Sequence, residues 1–150
     1  NFTSQNLGAG EYDRIRAGFR AGIRMVWYLS LPFCILYLAF PRVLLEFFME
    51  SPSADAIYSG TMYLRILAPF YFVVSAKLVS DGVLRGSGQM NAFMVGTFTD
   101  LILRVVLAML LARTLLGSTG IWCAWPIGWS TATAISIRYY RQEKWRDAKT

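Results

Sequence analysis

The chain has 150 residues, of which 55% are hydrophobic and only 16% charged, with a mean hydropathy of +0.41; an ordinary soluble domain, with roughly a quarter of its residues charged, is excluded. Histidine is absent, which removes the usual proton carrier near neutral pH and every nucleophilic arrangement built on imidazole, and the two cysteines, Cys34 and Cys123, stand far apart in apolar runs as packing residues. The net charge of +6 comes from Lys and Arg gathered at the ends of apolar runs, which points to membrane topology and away from nucleic acid as a partner.

The chain opens at Asn1 with no Met and no signal-like segment, and the polar loop 1–20 reads as mid-protein, so a fragment is expected. A spanning helix needs about 20 largely apolar residues, because the hydrocarbon layer is about 30 Å thick. The first such stretch, AGIRMVWYLSLPFCILYLAF, occupies about 21–40 and is kinked by Pro32. Pro41-Arg42 ends it, VLLEFFM reads as an amphipathic piece lying at the interface, and Ser51-Pro52-Ser53 marks a turn. The second span covers about 57–84 and contains Pro69. Arg85-Gly86-Ser87-Gly88-Gln89 turns the chain into the third, 92–112, and Leu116-Gly117-Ser118 leads to the fourth, 120–137, which contains Pro126. The tail 138–150 closes the chain. Because lipid offers the backbone no hydrogen-bond partners, these runs predict an all-α fold, a polytopic transmembrane helix bundle of four spanning helices in one unit.

Basic residues set the orientation. Arg14, Arg16, Arg20, Arg24, Arg85, Arg138, Arg141, Lys144, Arg146 and Lys149 fall on one side; Arg42 and Arg113 fall on the other, beside Glu46, Glu50 and Asp55. The loop 1–20 and the C-terminus are therefore expected in the cytoplasm and the protein in the plasma membrane, a bacterial inner membrane. Tyr139, Tyr140 and Trp145 read as an inner aromatic belt, Tyr58 and Tyr63 as an outer one.

Charges within spans are costly in lipid and so mark candidate sites. Lys77, Asp100, Arg104, Asp81 and Arg65 are the transport or gating candidates. The competing reading is structural: Lys77 with Asp81 and Asp100 with Arg104 are each four apart and share a helix face, and Arg65 reaches the outer interface by snorkelling. Hairpin geometry adds a further expectation. Lys77 and Asp100 lie at equal distances from the Gly88-Gln89 turn, which places them at one depth and predicts that they face each other or share a polar cavity. Trp122, Trp125 and Trp129 form a stripe on the fourth span that either lines a cavity for a flat organic cation or serves packing. The groups Leu7-Gly8-Ala9-Gly10 and Arg85-Gly86-Ser87-Gly88 lack the Lys-Ser/Thr of a phosphate loop. No catalytic residue, metal site or cofactor is legible, and no enzyme is expected.

The pieces QNLGAGEYDRIRAGFR, LRILAPFYF, GVLRGSGQ and GSTGIWCAWPIGW, in this order over nearly the whole chain, resemble the C-terminal half of MATE (multidrug and toxic compound extrusion) transporters. The resemblance implies a twelve-helix, two-lobe protein of which this chain is the last four spans, with the missing N-terminal lobe, the lipid bilayer and an amphipathic small-molecule substrate as partners. It further implies efflux of organic cations by alternating access, with Na⁺ or H⁺ as the coupling ion. Some members carry a cation-binding carboxylate in the helix matching the second span; here Phe72 to Ala76 holds no acid, and Lys77 stands beside it. The coupling acid then lies in the absent lobe, or coupling differs. The alternatives are a flippase for lipid-linked saccharides, whose phosphate would suit Arg65, Lys77 and Arg104, and a non-transporting membrane scaffold.

Overall fold

Prolines and turn residues divide the chain where they remove hydrogen bonds or impose backbone angles. The computed structural model describes residues 1–146, and among these every regular element is helical. Helix α1 (Phe2–Gly8) is followed by α2 (Tyr12–Ala39), and α3 (Pro41–Phe48) begins on a proline, whose missing N–H would find no partner in a first turn anyway. The hydroxyl of Ser53 accepts from the amide of Ala56 at 3.2 Å and so caps α4 (Ala54–Leu67). At Pro69 the missing donor tightens the path into a 3₁₀ turn, Ala68–Phe70, before α5 (Tyr71–Gly86) continues. Gly88, at φ +75°, supplies the left-handed residue that reverses the chain into α6 (Met90–Ala112). Helix α7 (Gly117–Arg141) and a 3₁₀ turn, Lys144–Arg146, complete the described chain.

Helix α7 is the centre of the bundle. It packs along α6, and also against α5 and α4, while α2 packs on the other side of α5; α5 and α6, consecutive in sequence, meet only sparsely. The cause is a stripe of small residues. Gly120, Ala124, Gly128, Ala132 and Ser136 recur at every fourth position of α7 and all are buried. Ala92, Gly96 and Asp100 repeat that spacing on α6. A Cβ placed on Gly96 would stand 3.1 Å from Ser136 Oγ, and one on Gly120 would stand 2.7 Å from the Leu111 carbonyl oxygen. Small residues let two backbones approach closely, and in lipid that dispersion contact drives helix association.

By length and apolarity alone, fewer helices qualify as spans than the four expected. Tyr12–Ala39, Ala54–Gly86 and Met90–Ala112 are long and apolar enough to cross a membrane, giving three rather than four. At 25 residues α7 has the length, but its Gly, Ser, Thr, Pro and Trp lower its hydropathy because much of its surface meets protein instead of lipid.

The expected polar loop 1–20 is also largely helical, divided between α1 and the first turns of α2. Its apolar residues build a cluster at the end of the bundle, where Leu7, Ile15, Val83 and Trp145 are buried and Tyr12, Phe19 and Tyr140 pack against them. Trp145 is only 1% exposed and donates its Nε1–H to the Tyr140 carbonyl at 2.8 Å, so it anchors the tail in protein rather than joining an interfacial belt. Arg16 grips Glu143 through two hydrogen bonds of 2.9 and 2.6 Å, and Arg146 joins Glu143 at 3.1 Å. The Arg16 hydrogen bond holds the Glu143 carboxyl below its ordinary value, against a smaller opposing effect of desolvation. Lys149, counted among the cytoplasmic charges, lies outside the described residues.

Candidate functional site

The charged residues of the spans form two local pairs, one on each neighbour of α7. On α5, Lys77 Nζ meets Asp81 Oδ2 at 2.5 Å, and Asp81 Oδ1 accepts a hydrogen bond from Ser136 Oγ of α7 at 2.7 Å. Lys77 and Asp81 are 7% and 2% exposed. The ammonium also stands 5.9 Å from the Phe93 ring, which Arg85 approaches at 5.1 Å. Both carboxylate oxygens are engaged, so this is a closed polar strut between α5 and α7.

The second pair is open. On α6, Arg104 Nη2 donates to Asp100 Oδ2 at 3.0 Å, and the guanidinium lies over the Trp125 ring at 4.4 Å. Asp100 Oδ1 and Arg104 Nε are buried without a hydrogen-bond partner among the described residues. Such an unmet group costs about 1–3 kcal/mol. Asp100 Oδ1 points at Gly128, where an added Cβ would stand 2.5 Å away.

Lys77 and Asp100 therefore do not pair, against the hairpin expectation: each has its own partner four residues along its own helix. Equal depth brings two residues together only where consecutive helices pack on each other, whereas α6 is drawn to the small stripe of α7. Arg65 is exposed in the last turn of α4, in no ion pair among the described residues.

The tryptophans of α7 are half-buried and join an aromatic series that crosses helices. Tyr37 of α2 lies 5.7 Å from Tyr71 of α5, Tyr71 5.8 Å from Trp129, and Trp129 5.8 Å from Trp125, which carries Arg104. Trp122 meets Tyr63 at 6.2 Å. A cleft of about 320 Å³ between α2 and α5, lined partly by Phe33, Tyr37, Tyr71 and Ser75, opens at the far end of the series. Thr133 Oγ1 donates within 2.6 Å of the Trp129 carbonyl and 3.2 Å of the Val73 carbonyl, pinning α7 to α5. This arrangement offers aromatic faces and a few hydroxyls, a surface suited to binding flat amphipathic molecules. Among the described residues no three His, Cys, Asp or Glu side chains converge to hold a metal ion.

Ser136, Phe93, Tyr37 and Tyr71 escape the sequence reading. Ser136 was recoverable, as the last member of a four-residue small repeat. The others carry no sequence signal, because their partners come from helices distant in the chain.

The MatE family matches residues 1–110. This chain belongs to the MatE family. Probable multidrug resistance protein YpnP of Bacillus subtilis (strain 168) is 25% identical over 150 residues, covering 99% of this chain and 33% of the relative. Probable multidrug resistance protein YoeA of the same organism is 23% identical over 142 residues, covering 93% of this chain and 30% of the relative. The chain thus spans about a third of the length of the curated relatives it matches. No solved structure matches it at a significant level. MatE members are transporters and not enzymes, and with its long apolar helices this member is a multi-pass membrane protein.

Proposed function

We propose that this chain is the C-terminal part of an efflux antiporter that exports organic cations or other amphipathic compounds by alternating access, driven by inward Na⁺ or H⁺. The observation that carries the reading is the MatE match over residues 1–110, to which the two relatives named for multidrug resistance add support. The aromatic series from Tyr37 to Trp125 agrees with it, since ring faces attract flat cations. Within this reading the Lys77–Asp81–Ser136 strut holds α5 to α7 through the cycle, and the Asp100–Arg104 pair, with unused hydrogen-bonding capacity, is the member that exchanges partners. The protein sits in the plasma membrane with its C-terminus in the cytoplasm, the lipid bilayer and the first lobe as partners, and the coupling acid outside this chain.

The flippase alternative needs free cations inside the membrane for a phosphate headgroup. Lys77 and Arg104 are each paired with a carboxylate, so of the three cations that alternative invokes only Arg65 is in no ion pair among the described residues. The test uses the full-length protein in sealed vesicles. A fluorescent organic cation should move against its gradient when a pH or Na⁺ gradient is imposed and stop when the gradient is collapsed. Folded protein that moves no cation under either gradient overturns the antiporter reading, and movement of a labelled lipid-linked saccharide in its place restores the flippase. For orientation, a cysteine at Ser53 should react with an impermeant reagent from outside; reaction only after permeabilisation overturns the cytoplasmic C-terminus.

A further inference from the structure

The last turns of α7 carry two arginines that the ion pairs around them do not use. At this end of the bundle Glu143 is taken by Arg16 and Arg146. Arg138 and Arg141 are exposed, and among the described residues their guanidinium groups enter neither an ion pair nor a hydrogen bond. The two are three residues apart and so share a helix face. Together with Ala134, Ile137 and Gln142 they border a cleft of about 430 Å³. Further along the same face, seven residues before Ala134, Ile127 is 43% exposed. The small buried stripe of α7, ending in Ala132 and Ser136, lies on the opposite side. One face of α7 thus runs from Ile127 past Thr131, whose hydroxyl is turned back to the Ile127 carbonyl, and Ala134 to two free guanidinium groups in the last turns of the helix.

We propose that this face binds an anionic phospholipid, with the phosphate between Arg138 and Arg141 and an acyl chain along Ala134 and Ile127. Charge complementarity selects the occupant. Guanidinium groups are planar donors matched to phosphate oxygens, and basic clusters at the cytoplasmic end of membrane helices recruit anionic headgroups. The helix C-terminus contributes roughly half a negative charge at this point, which opposes an anion. Two guanidinium groups leave a clearly positive site, one leaves a weak site, and both are therefore required. A free phosphate would gain the charge contacts without those along Ala134 and Ile127, so the lipid is the better occupant.

The experiment uses the full-length protein purified in mild detergent. Bound phospholipid is measured by native mass spectrometry after exchange with equal amounts of phosphatidylglycerol and phosphatidylcholine. The wild type should retain phosphatidylglycerol preferentially. R138Q/R141Q should lose about tenfold of that preference, the order expected from removing two cations near a charged membrane surface, and each single variant should lose most of it. R14Q/R20Q, which removes the same charge elsewhere on the basic side, should keep it. Equal retention by R138Q/R141Q and the wild type, or equal loss in R14Q/R20Q, overturns the site. Equal retention of the two lipids by the wild type overturns it without any variant. Thermal stabilisation by inorganic phosphate as large as that by phosphatidylglycerol overturns the lipid as occupant.

Discussion

Helices α2 and α7 have similar lengths, 28 and 25 residues, and each contains a proline, yet they occupy opposite environments. The apolar window of α2 is only 6% buried, with Met25, Ile35 and their neighbours turned outward. Helix α7 falls short of the apolarity expected of a span while burying Gly120, Ala124, Gly128, Ala132 and Ser136. In a membrane protein, hydropathy reports which surface meets lipid. The interior is marked by small residues, because lipid tails already satisfy apolar side chains and association depends on close approach. The polar groups follow the same division, since the pairs of α5 and α6 both lie against α7.

The most severe test of that contrast is to strand a charge beside α7. Asp81→Ala leaves Lys77 buried without its carboxylate, and the expected cost is about 3–5 kcal/mol, seen as loss of monodisperse protein in size-exclusion chromatography. The loss should be partly recovered by Lys77→Met in the same chain. Lys77→Ala combined with Asp100→Ala should be additive to within about 0.5 kcal/mol, since the two act in separate pairs. A strong coupling between them would restore the hairpin geometry and remove α7 from between its neighbours.

Next in size is overpacking of the small stripe. Gly128→Leu drives a side chain into Asp100 Oδ1, at a cost of about 1–3 kcal/mol from overpacking and more if the carboxylate is displaced. Ile35→Ala on the outward face of α2, where Ile35 is 53% exposed, should leave the yield of folded protein nearly unchanged. Equal yields from the two variants would erase the distinction between the helices.

A smaller effect is expected at the aromatic series. Trp125→Ala removes the ring under Arg104, worth about 1–2 kcal/mol for a half-buried cation–π contact, and should lower the folded amount more than the transport rate per folded molecule. A normal amount with an altered substrate profile would make the ring a contact for substrate.

The mildest effect lies at the end cluster, where α2 does bury residues. Because Arg16 holds the Glu143 carboxyl below its ordinary 4.5, the folded form gains stability from this contact above that value and loses it as pH falls through the lowered one. The Arg16 guanidinium, like any arginine, stays charged throughout. Trp145 emission should shift as the pH is lowered below about 4.5, and Glu143→Gln should flatten that transition. An unchanged transition in Glu143→Gln would assign the anchoring to Trp145 alone.

Much of the architecture was legible from local chemistry. Pro41 ends the first long helix and Ser51-Pro52-Ser53 separates α3 from α4, Gly88 turns the chain, and the i, i+4 spacings of Lys77–Asp81 and Asp100–Arg104 become the observed pairs. The family pattern was legible too, because its motifs are spread along the chain and survive without contacts. The helical start of α2 reads as loop in the sequence, because its arginines point to solvent and the packing of Ile15 and Phe19 in the cluster with Trp145 depends on the far end of the chain.

The sequence by itself therefore determined helix-forming segments, charge asymmetry and local ion pairs, all of which depend on residues within a few positions of one another. The tertiary structure alone decided that α7 lies between α5 and α6, that Ser136 completes the Lys77–Asp81 pair, and that Asp100 Oδ1 is left unpartnered against Gly128. Those outcomes depend on how closely two backbones can approach, which is a property of facing surfaces and is absent from either helix alone.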